Sequence, residues 1–128
     1  MKSWYWGHGR LGSLKIVWFW AMSHDGSEHI SSYVSLNGEA LTTSCSGLTV
    51  LPTGNNSAFP PVNGGGVPGG FHVTMDVEGE GTLEVDVTHK LQITDDPGMV
   101  YRWIGSLSGG FGNGTVWTGP ALYEQFTF

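Results

Sequence analysis

The chain has 128 residues and a net charge of −6, and only 12% of its residues are charged, against 39% that are hydrophobic. This length and composition predict a single packed domain over residues 1–128 and exclude a disordered chain. The acidic balance leaves no basic patch, so we expect no nucleic-acid partner. The lone Cys45 excludes an intrachain disulfide and a cysteine-based zinc site, and we expect neither a membrane span nor a signal peptide.

Alternating runs between turn signals predict an all-β, antiparallel domain, because no segment has a helical period. About eight strands are predicted, near residues 3–7, 13–23, 28–37, 39–51 (broken), 70–78, 82–94, 99–108 and 115–128. Eight strands joined by short hairpins in up-and-down order predict a lipocalin-like (calycin-like) barrel. A β-sandwich is the alternative.

The first two predicted strands carry an excess of aromatic residues. Residues 4–20, WYWGHGRLGSLKIVWFW, hold four of the six tryptophans. So much ring surface is typical of a closed barrel, an apolar ligand pocket or a contact with another domain.

The dipeptide Asp25-Gly26 predicts a two-residue type I′ turn between the second and third strands, in which His24 pairs with Ser27. This register sets which side chains share a face. One face is expected to place large rings beside small polar groups: Trp18, Trp20, Met22, His29, Ser31 and Tyr33. Such a face suits an apolar ligand with a few polar atoms, and packing against a neighbouring element is the alternative.

Residues 51–70 form a long segment rich in proline and glycine, which predicts a lid, a binding loop or a disordered excursion. Phe59 and Val62 are expected to fold over a barrel mouth. In the next hairpin we expect Val77 to pair with Leu83, which places Asp76 opposite a glutamate on a solvent-facing surface. A weak cation site near the neighbouring histidine, residue 72, is the alternative for that surface.

The apolar side of the same hairpin carries His89, which we expect to be a hydrogen-bonded core residue or a polar contact in a pocket. Asp96-Pro97-Gly98 predicts a type II turn. The final strand is expected to pair with the first and close the barrel.

The sequence contains no nucleotide-binding loop, no HExxH spacing and no GxSxG elbow. Phosphate and hydride chemistry are therefore unsupported, and no cofactor or metal is predicted. An apolar pocket with few donors can bind an apolar small molecule. It can also catalyse a reaction that needs only substrate folding, exclusion of water and a hydrogen bond to a carbonyl.

Residues 4–12 (WYWGHGRLG), 16–19 (IVWF) and 119–126 (GPALYEQF) resemble both ends of the C-terminal β-barrel domain in the fungal hydroxyneurosporene-synthase-like (CrtC-type) family. That family includes Diels–Alderases and hydratases. The resemblance implies a cofactor-independent [4+2] Diels–Alder or hetero-Diels–Alder cyclisation of an apolar polyene or quinone-methide intermediate of fungal natural-product biosynthesis. It also implies a partner for this barrel, either an N-terminal β-domain or a second chain.

The predicted site follows from the face assignment. Its catalytic donors are Tyr33, His29, Tyr101 and Arg10. Its substrate-binding residues are Trp18, Trp20, Ser31, Trp103, Met22, Trp117 and Tyr123.

Three other functions stay open: a non-catalytic lipocalin-like binder of an apolar small molecule, a hydratase or isomerase of the same family, and a structural half-domain. No localisation is predicted. Asn55-Asn56-Ser57 and Asn113-Gly114-Thr115 match the glycosylation sequon and leave secretion open.

Overall fold

The computed structural model describes residues 2–96, 99–112 and 114–128. These residues form nine antiparallel strands in one curled sheet, and the described part of the chain contains no helix, hence none that could cross a membrane. The strands are β1 (Ser3–Leu11), β2 (Leu14–Met22), β3 (Glu28–Leu36), β4 (Glu39–Ser44), β5 (Leu48–Thr53), β6 (Gly70–Val77), β7 (Gly81–Asp96), β8 (Val100–Phe111) and β9 (Trp117–Thr127). The all-β, lipocalin-like prediction is confirmed.

The sheet order is β4-β3-β2-β1-β9-β8-β7-β6-β5, so the last strand pairs with the first as predicted. The ninth strand arises because the broken segment 39–51 divides into β4 and β5. These two strands are the edges of the sheet, and among the described residues no hydrogen-bonded ladder joins them. We call this gap the seam. The sheet curls until β5 contacts β2 and β3, which makes a half-barrel closed there by side chains.

Alternate residues of the strands point into the half-barrel and bury a core of aliphatic and aromatic side chains. Its largest fully buried side chains include Trp18, Trp103, Tyr5 and Tyr123. Burial of a large apolar side chain contributes roughly 1.5–3 kcal/mol. The Gly-rich sequence of β1 is part of this packing, because a Cβ on Gly7 would lie 2.2 Å from Cζ2 of Trp18. Glycine at this position therefore makes room for the indole across the strand pair.

The predicted register of the β2–β3 hairpin is wrong by one residue. The loop spans residues 24–26, closed by hydrogen bonds from the Ser23 N–H to the Ser27 carbonyl and from the Gly26 N–H to the Ser23 carbonyl. Gly26 has φ +87°, as in a type I turn followed by a bulge. The Asp25 carboxylate accepts hydrogen bonds from the Ser27 N–H and hydroxyl at 2.9 and 2.6 Å.

A one-residue shift moves every side chain of one strand to the other face. Trp18 is consequently opposite Ser32, and Trp20 is opposite Ile30. Tyr33, Ser31 and His29 lie on the outer face, opposite residues 17, 19 and 21. The predicted mixed face of tryptophan, tyrosine, histidine and serine therefore does not exist.

The β6–β7 hairpin differs from its predicted register by two residues, which leaves the faces unchanged. Leu83 is opposite Met75 rather than Val77. The expected opposition of Asp76 and Glu84 is absent, because Thr82 is opposite Asp76 and donates a hydrogen bond to it at 3.1 Å.

On the same outer surface, His72 contacts Asp86 at 2.8 Å and Glu84 at 3.6 Å. Among the described residues, no group of three His, Cys, Asp or Glu side chains is placed to hold a metal ion. Further along β7, register shifts begin after His89. Leu91 and Ile93 are therefore exposed instead of continuing the apolar side.

Two sequence predictions involve residues outside the described ones. The expected turn at Asp96-Pro97-Gly98 includes residues 97 and 98, and the sequon at Asn113-Gly114-Thr115 includes residue 113. The segment 54–69 between β5 and β6 is described and contains no strand.

Candidate active site

An aromatic cluster fills the half-barrel, and Phe71 lies at its centre. The Phe71 ring meets Tyr5, Trp103 and Tyr123 in edge-on contacts, with ring centroids 5.2, 5.7 and 5.9 Å apart. Trp18 packs on the other side of Tyr123 at 6.3 Å. The interior thus presents mainly ring surface, with few polar atoms.

One of these polar atoms belongs to His89, which stacks on Trp103 with ring centroids 4.4 Å apart. Its Nε2 lies 2.9 Å from the carbonyl oxygen of Pro68, and its Nδ1 lies 2.8 Å from the hydroxyl of Tyr123. A carbonyl only accepts, so Nε2 carries the hydrogen and Nδ1 accepts from Tyr123. Burial lowers the pKa of His89, which keeps the imidazole neutral. The hydrogen bond from His89 to the Pro68 carbonyl ties the 54–69 segment to the core.

A second polar group, the Tyr5 hydroxyl, is buried and has no hydrogen-bond partner among the described residues. The residue is 1% exposed, and burial raises the pKa of its hydroxyl. In the part of the chain that the structure describes, the buried hydroxyls of Ser3 and Ser32 also have no partner. An unpaired buried polar group costs about 1–3 kcal/mol. The Tyr5 hydroxyl is therefore a neutral, unpaired donor in an apolar environment, and its burial lowers the stability of the fold.

The Tyr5 ring lies directly behind a cavity at the seam. This cavity has a volume of about 430 Å³, and its walls include Trp20, Glu28, Cys45 and Phe59. Phe59 comes from the 54–69 segment, and its ring lies 4.8 Å from that of Trp20 and 6.3 Å from that of Tyr5. The Trp20 indole N–H donates to the Glu28 carboxylate at 2.8 Å. Trp20 and Phe59 thus line the seam cavity and also pack against the Tyr5 ring.

A separate cavity of about 570 Å³ lies against the outer face of the sheet. Arg10, Lys15 and Tyr33 line it together with apolar side chains of β2, β8 and β9. This outer groove and the seam cavity share no lining residue.

The structure divides the predicted site residues between the two sides of the sheet. Five of them have interior rings: Trp18, Trp20, Tyr101, Trp103 and Tyr123. Four of them lie on the outer side: Arg10, His29, Ser31 and Tyr33.

The remaining two predicted residues, Met22 and Trp117, are half-buried. Trp117 lines a 230 Å³ cavity apart from the seam. Tyr101 stacks on Trp103 at 5.9 Å, and His29 hydrogen-bonds Ser23 at 3.1 Å. One pocket cannot contain the whole predicted set, because the sheet separates its members.

Sequence reasoning did not include Tyr5 or His89 in the predicted site. His89 already stood out as a polar residue on an apolar side, and that signal was sufficient to select it. Tyr5 shares its strand parity with Gly7, and the structure places both on the inner face of β1. Whether an inward hydroxyl finds a partner depends on packing among strands that are distant in sequence.

Two curated relatives match the whole chain. Quinolone epoxide rearrangement protein asqO of Emericella nidulans is 38% identical over 130 residues, which cover 100% of this chain and 35% of asqO. Quinolone epoxide rearrangement protein penF of Penicillium thymicola is 36% identical over 131 residues, which cover 100% of this chain and 36% of penF. The chain spans about a third of the length of these relatives. No family model matches the chain.

Solved structures with the same fold are far more distant in sequence. CghA aligns with a TM-score of 0.68 at 10% identity, over 99% of this chain and 40% of CghA. Kievitone hydratase from Nectria haematococca aligns with a TM-score of 0.62 at 15% identity, over 98% of this chain and 39% of the hydratase. The chain is thus similar in sequence to fungal quinolone epoxide rearrangement proteins and shares its fold with parts of CghA and kievitone hydratase.

Proposed function

We propose that this chain forms the barrel of a cofactor-independent isomerase or cyclase of fungal secondary metabolism that acts on an apolar small molecule. The sequence similarity to proteins named for quinolone epoxide rearrangement favours an epoxide as the reacting group. The observation that carries the proposal is the unpartnered Tyr5 hydroxyl in the aromatic interior behind the seam cavity.

In the proposed reaction, the substrate enters the seam cavity and displaces the Phe59 ring. Its epoxide oxygen then accepts a hydrogen bond from Tyr5. The raised pKa of Tyr5 keeps its proton in place, so the hydroxyl acts as a donor rather than a base. As the epoxide C–O bond breaks, its electron pair stays on oxygen, where this hydrogen bond stabilises the developing charge.

Breaking the C–O bond leaves one carbon electron-poor. The face of the Trp20 indole stabilises such a centre by cation–π attraction, worth about 0.5–2 kcal/mol. A neighbouring substituent migrates to that carbon with its bonding electrons, and the oxygen closes a carbonyl on the carbon that the substituent leaves. Every atom is retained in the product. No co-reactant is needed.

His89 acts as a positioning residue in this proposal. It contacts the Pro68 carbonyl and thereby anchors the segment that carries Phe59. The Tyr123 hydroxyl holds the imidazole in the required tautomer.

The [4+2] cyclisation implied by the family resemblance remains an alternative reaction for the same site. A hydrogen bond from Tyr5 to a carbonyl would activate a dienophile in the same way as it activates an epoxide. The other predicted donors, Tyr33, His29, Tyr101 and Arg10, stay predictions. Of these, Tyr101 has an interior ring, which stacks on Trp103.

The test is to incubate the 128-residue chain with a quinolone epoxide and analyse the products by chromatography and mass spectrometry. A rearrangement gives a new product of unchanged mass, whereas hydration adds one water. We expect Tyr5→Phe to slow conversion about 100-fold, as does loss of a donor to a developing oxyanion. Thr43→Val, which removes an exposed hydroxyl on β4, is the matched control. Full turnover by Tyr5→Phe would exclude Tyr5 as the donor, and a hydrated product would exclude the rearrangement.

A further inference from the structure

The outer face of the sheet carries a largely apolar row, interrupted by His8, that the proposed reaction does not use. Six directly opposed residues on six successive strands form this outer row: Leu91, Ile104, Leu122, His8, Val17 and Tyr33. Five strand spacings of about 4.8 Å make the row about 24 Å long. Leu91 is 56% exposed and Ile104 is 44% exposed, so the row is open to solvent.

The groove above this row has an unusual charge distribution for an acidic chain. Arg10 and Lys15 are directly opposed on β1 and β2, and both line the outer groove. An adjoining cavity, which shares Ile104 and Pro120 with the groove, is lined by Lys90. Three of the chain's five Lys and Arg residues therefore lie here.

None of these cations is neutralised by the surrounding protein in the described part of the chain. The described residues that line the two cavities include no carboxylate. Arg10, Lys15 and Lys90 also take part in none of the ion pairs found among the described residues. A groove with an apolar floor and unpaired cations complements a molecule that has an apolar body and an anionic group.

We propose that the outer groove is a second binding site, which takes a small apolar molecule bearing a carboxylate. The apolar body lies along the outer row, and the carboxylate meets Arg10 and Lys15. The groove volume of about 570 Å³ lies in the range of small-ligand sites. This inference does not rest on the proposed reaction, because the sheet separates the groove from Tyr5.

The surrounding backbone favours a small molecule over a polypeptide. β1, β2, β8 and β9 are all paired on both sides, so the groove offers no free strand edge to a peptide. A peptide backbone lying on the apolar row would lose hydration of its polar groups without gaining partners. An alkyl chain has no polar backbone groups, so it loses no such hydration when it lies on the row.

The test uses dodecanoate below its micelle-forming concentration and titrates it into the 128-residue chain by calorimetry. We expect saturable 1:1 binding that weakens with salt, and much weaker binding of neutral dodecanol. Arg10→Gln should weaken dodecanoate binding about fivefold, the upper range for one exposed ion pair. Lys2→Gln, which removes one positive charge outside the groove, should leave the affinity within twofold.

Backbone NMR shifts on dodecanoate addition give a readout that needs no variant. Perturbation centred on Arg10, Val17 and Ile104 supports the outer groove, while perturbation centred on Leu48 and Val50 places the ligand at the seam and overturns the proposal. Equal affinity for dodecanol, or equal weakening by Lys2→Gln and Arg10→Gln, also overturns it. Saturable binding of an acidic peptide in place of dodecanoate would assign the groove to a polypeptide instead.

Discussion

The inner and outer faces of the sheet differ sharply, although neighbouring residues of the same strands build them. Trp103 is 1% exposed and packs among rings, whereas the next residue, Ile104, is 44% exposed above an open groove. The inner face holds neutral polar groups, Tyr5 and the pair of His89 and Tyr123, in a dry environment. The outer face holds cations that keep their hydration. The inner face of the sheet is thus suited to reaction chemistry, and the outer face of the same sheet is suited to reversible anion binding.

The largest expected effect tests how tightly the inner face is packed. Gly7→Ala places a Cβ within 2.2 Å of the Trp18 ring and 2.6 Å of the Tyr123 Cβ. We expect a loss of about 1–3 kcal/mol in the free energy of unfolding, as for other overpacked cores, measured by denaturant titration. Combining it with Trp18→Phe should cost less than the sum of the two single variants. Strict additivity would contradict the assigned contact.

An intermediate effect tests whether the inner face keeps His89 neutral. Its folded-state pKa is lowered mainly by burial, so the unfolded state binds the proton more readily. Stability from this group is therefore complete above the unfolded-state pKa of about 6.5 and falls as the pH drops below it. The unfolding temperature, measured from about pH 7.5 down to about pH 5, should show this decline in stability.

The matched variants for this pH test are His89→Gln and His24→Asn. The first should flatten the decline, whereas the second, on the exposed hairpin loop, should preserve it. If both variants behave alike, His89 is not the group that titrates.

The smallest expected effect tests the openness of the outer face. Ile104→Ser removes an apolar side chain that is already largely in water, so the free energy of unfolding should change by no more than about 0.5 kcal/mol. The same denaturant titration measures it. A loss comparable to that of Gly7→Ala would mean that the outer row is part of the packed core.

Two hairpins show how far the fold was predictable from the sequence. Alternation alone gave the faces of β6, and of β7 as far as His89, correctly, since an error of two residues in register preserves parity. The same kind of error, of one residue, reversed β3, because Asp25-Gly26 occurs in a three-residue loop as well as in a two-residue one. The side chain of Asp25 stabilises the longer loop, and this choice is not visible in the alternation of the strands.

The candidate site was less predictable than the fold for the same physical reason. Strand pattern sorts residues between the two faces, and it grouped Tyr101 with Trp103 and Trp117 with Tyr123. It does not reveal that the Tyr5 hydroxyl lacks a partner among the described residues, or that the Phe59 ring packs against the Tyr5 ring. Both features arise where β1, β2, β6 and the 54–69 segment meet.

The central claim is that the Tyr5 hydroxyl donates a hydrogen bond to the substrate and does not stabilise the fold. The effects of Tyr5→Phe on unfolding and on turnover, measured together, test this claim most directly. Removing a buried hydroxyl without a partner should leave the unfolding temperature unchanged or raise it, because an unpaired group costs about 1–3 kcal/mol. The same variant should convert a quinolone epoxide about 100-fold more slowly. A lower unfolding temperature with unchanged turnover would contradict the account and make Tyr5 a structural residue.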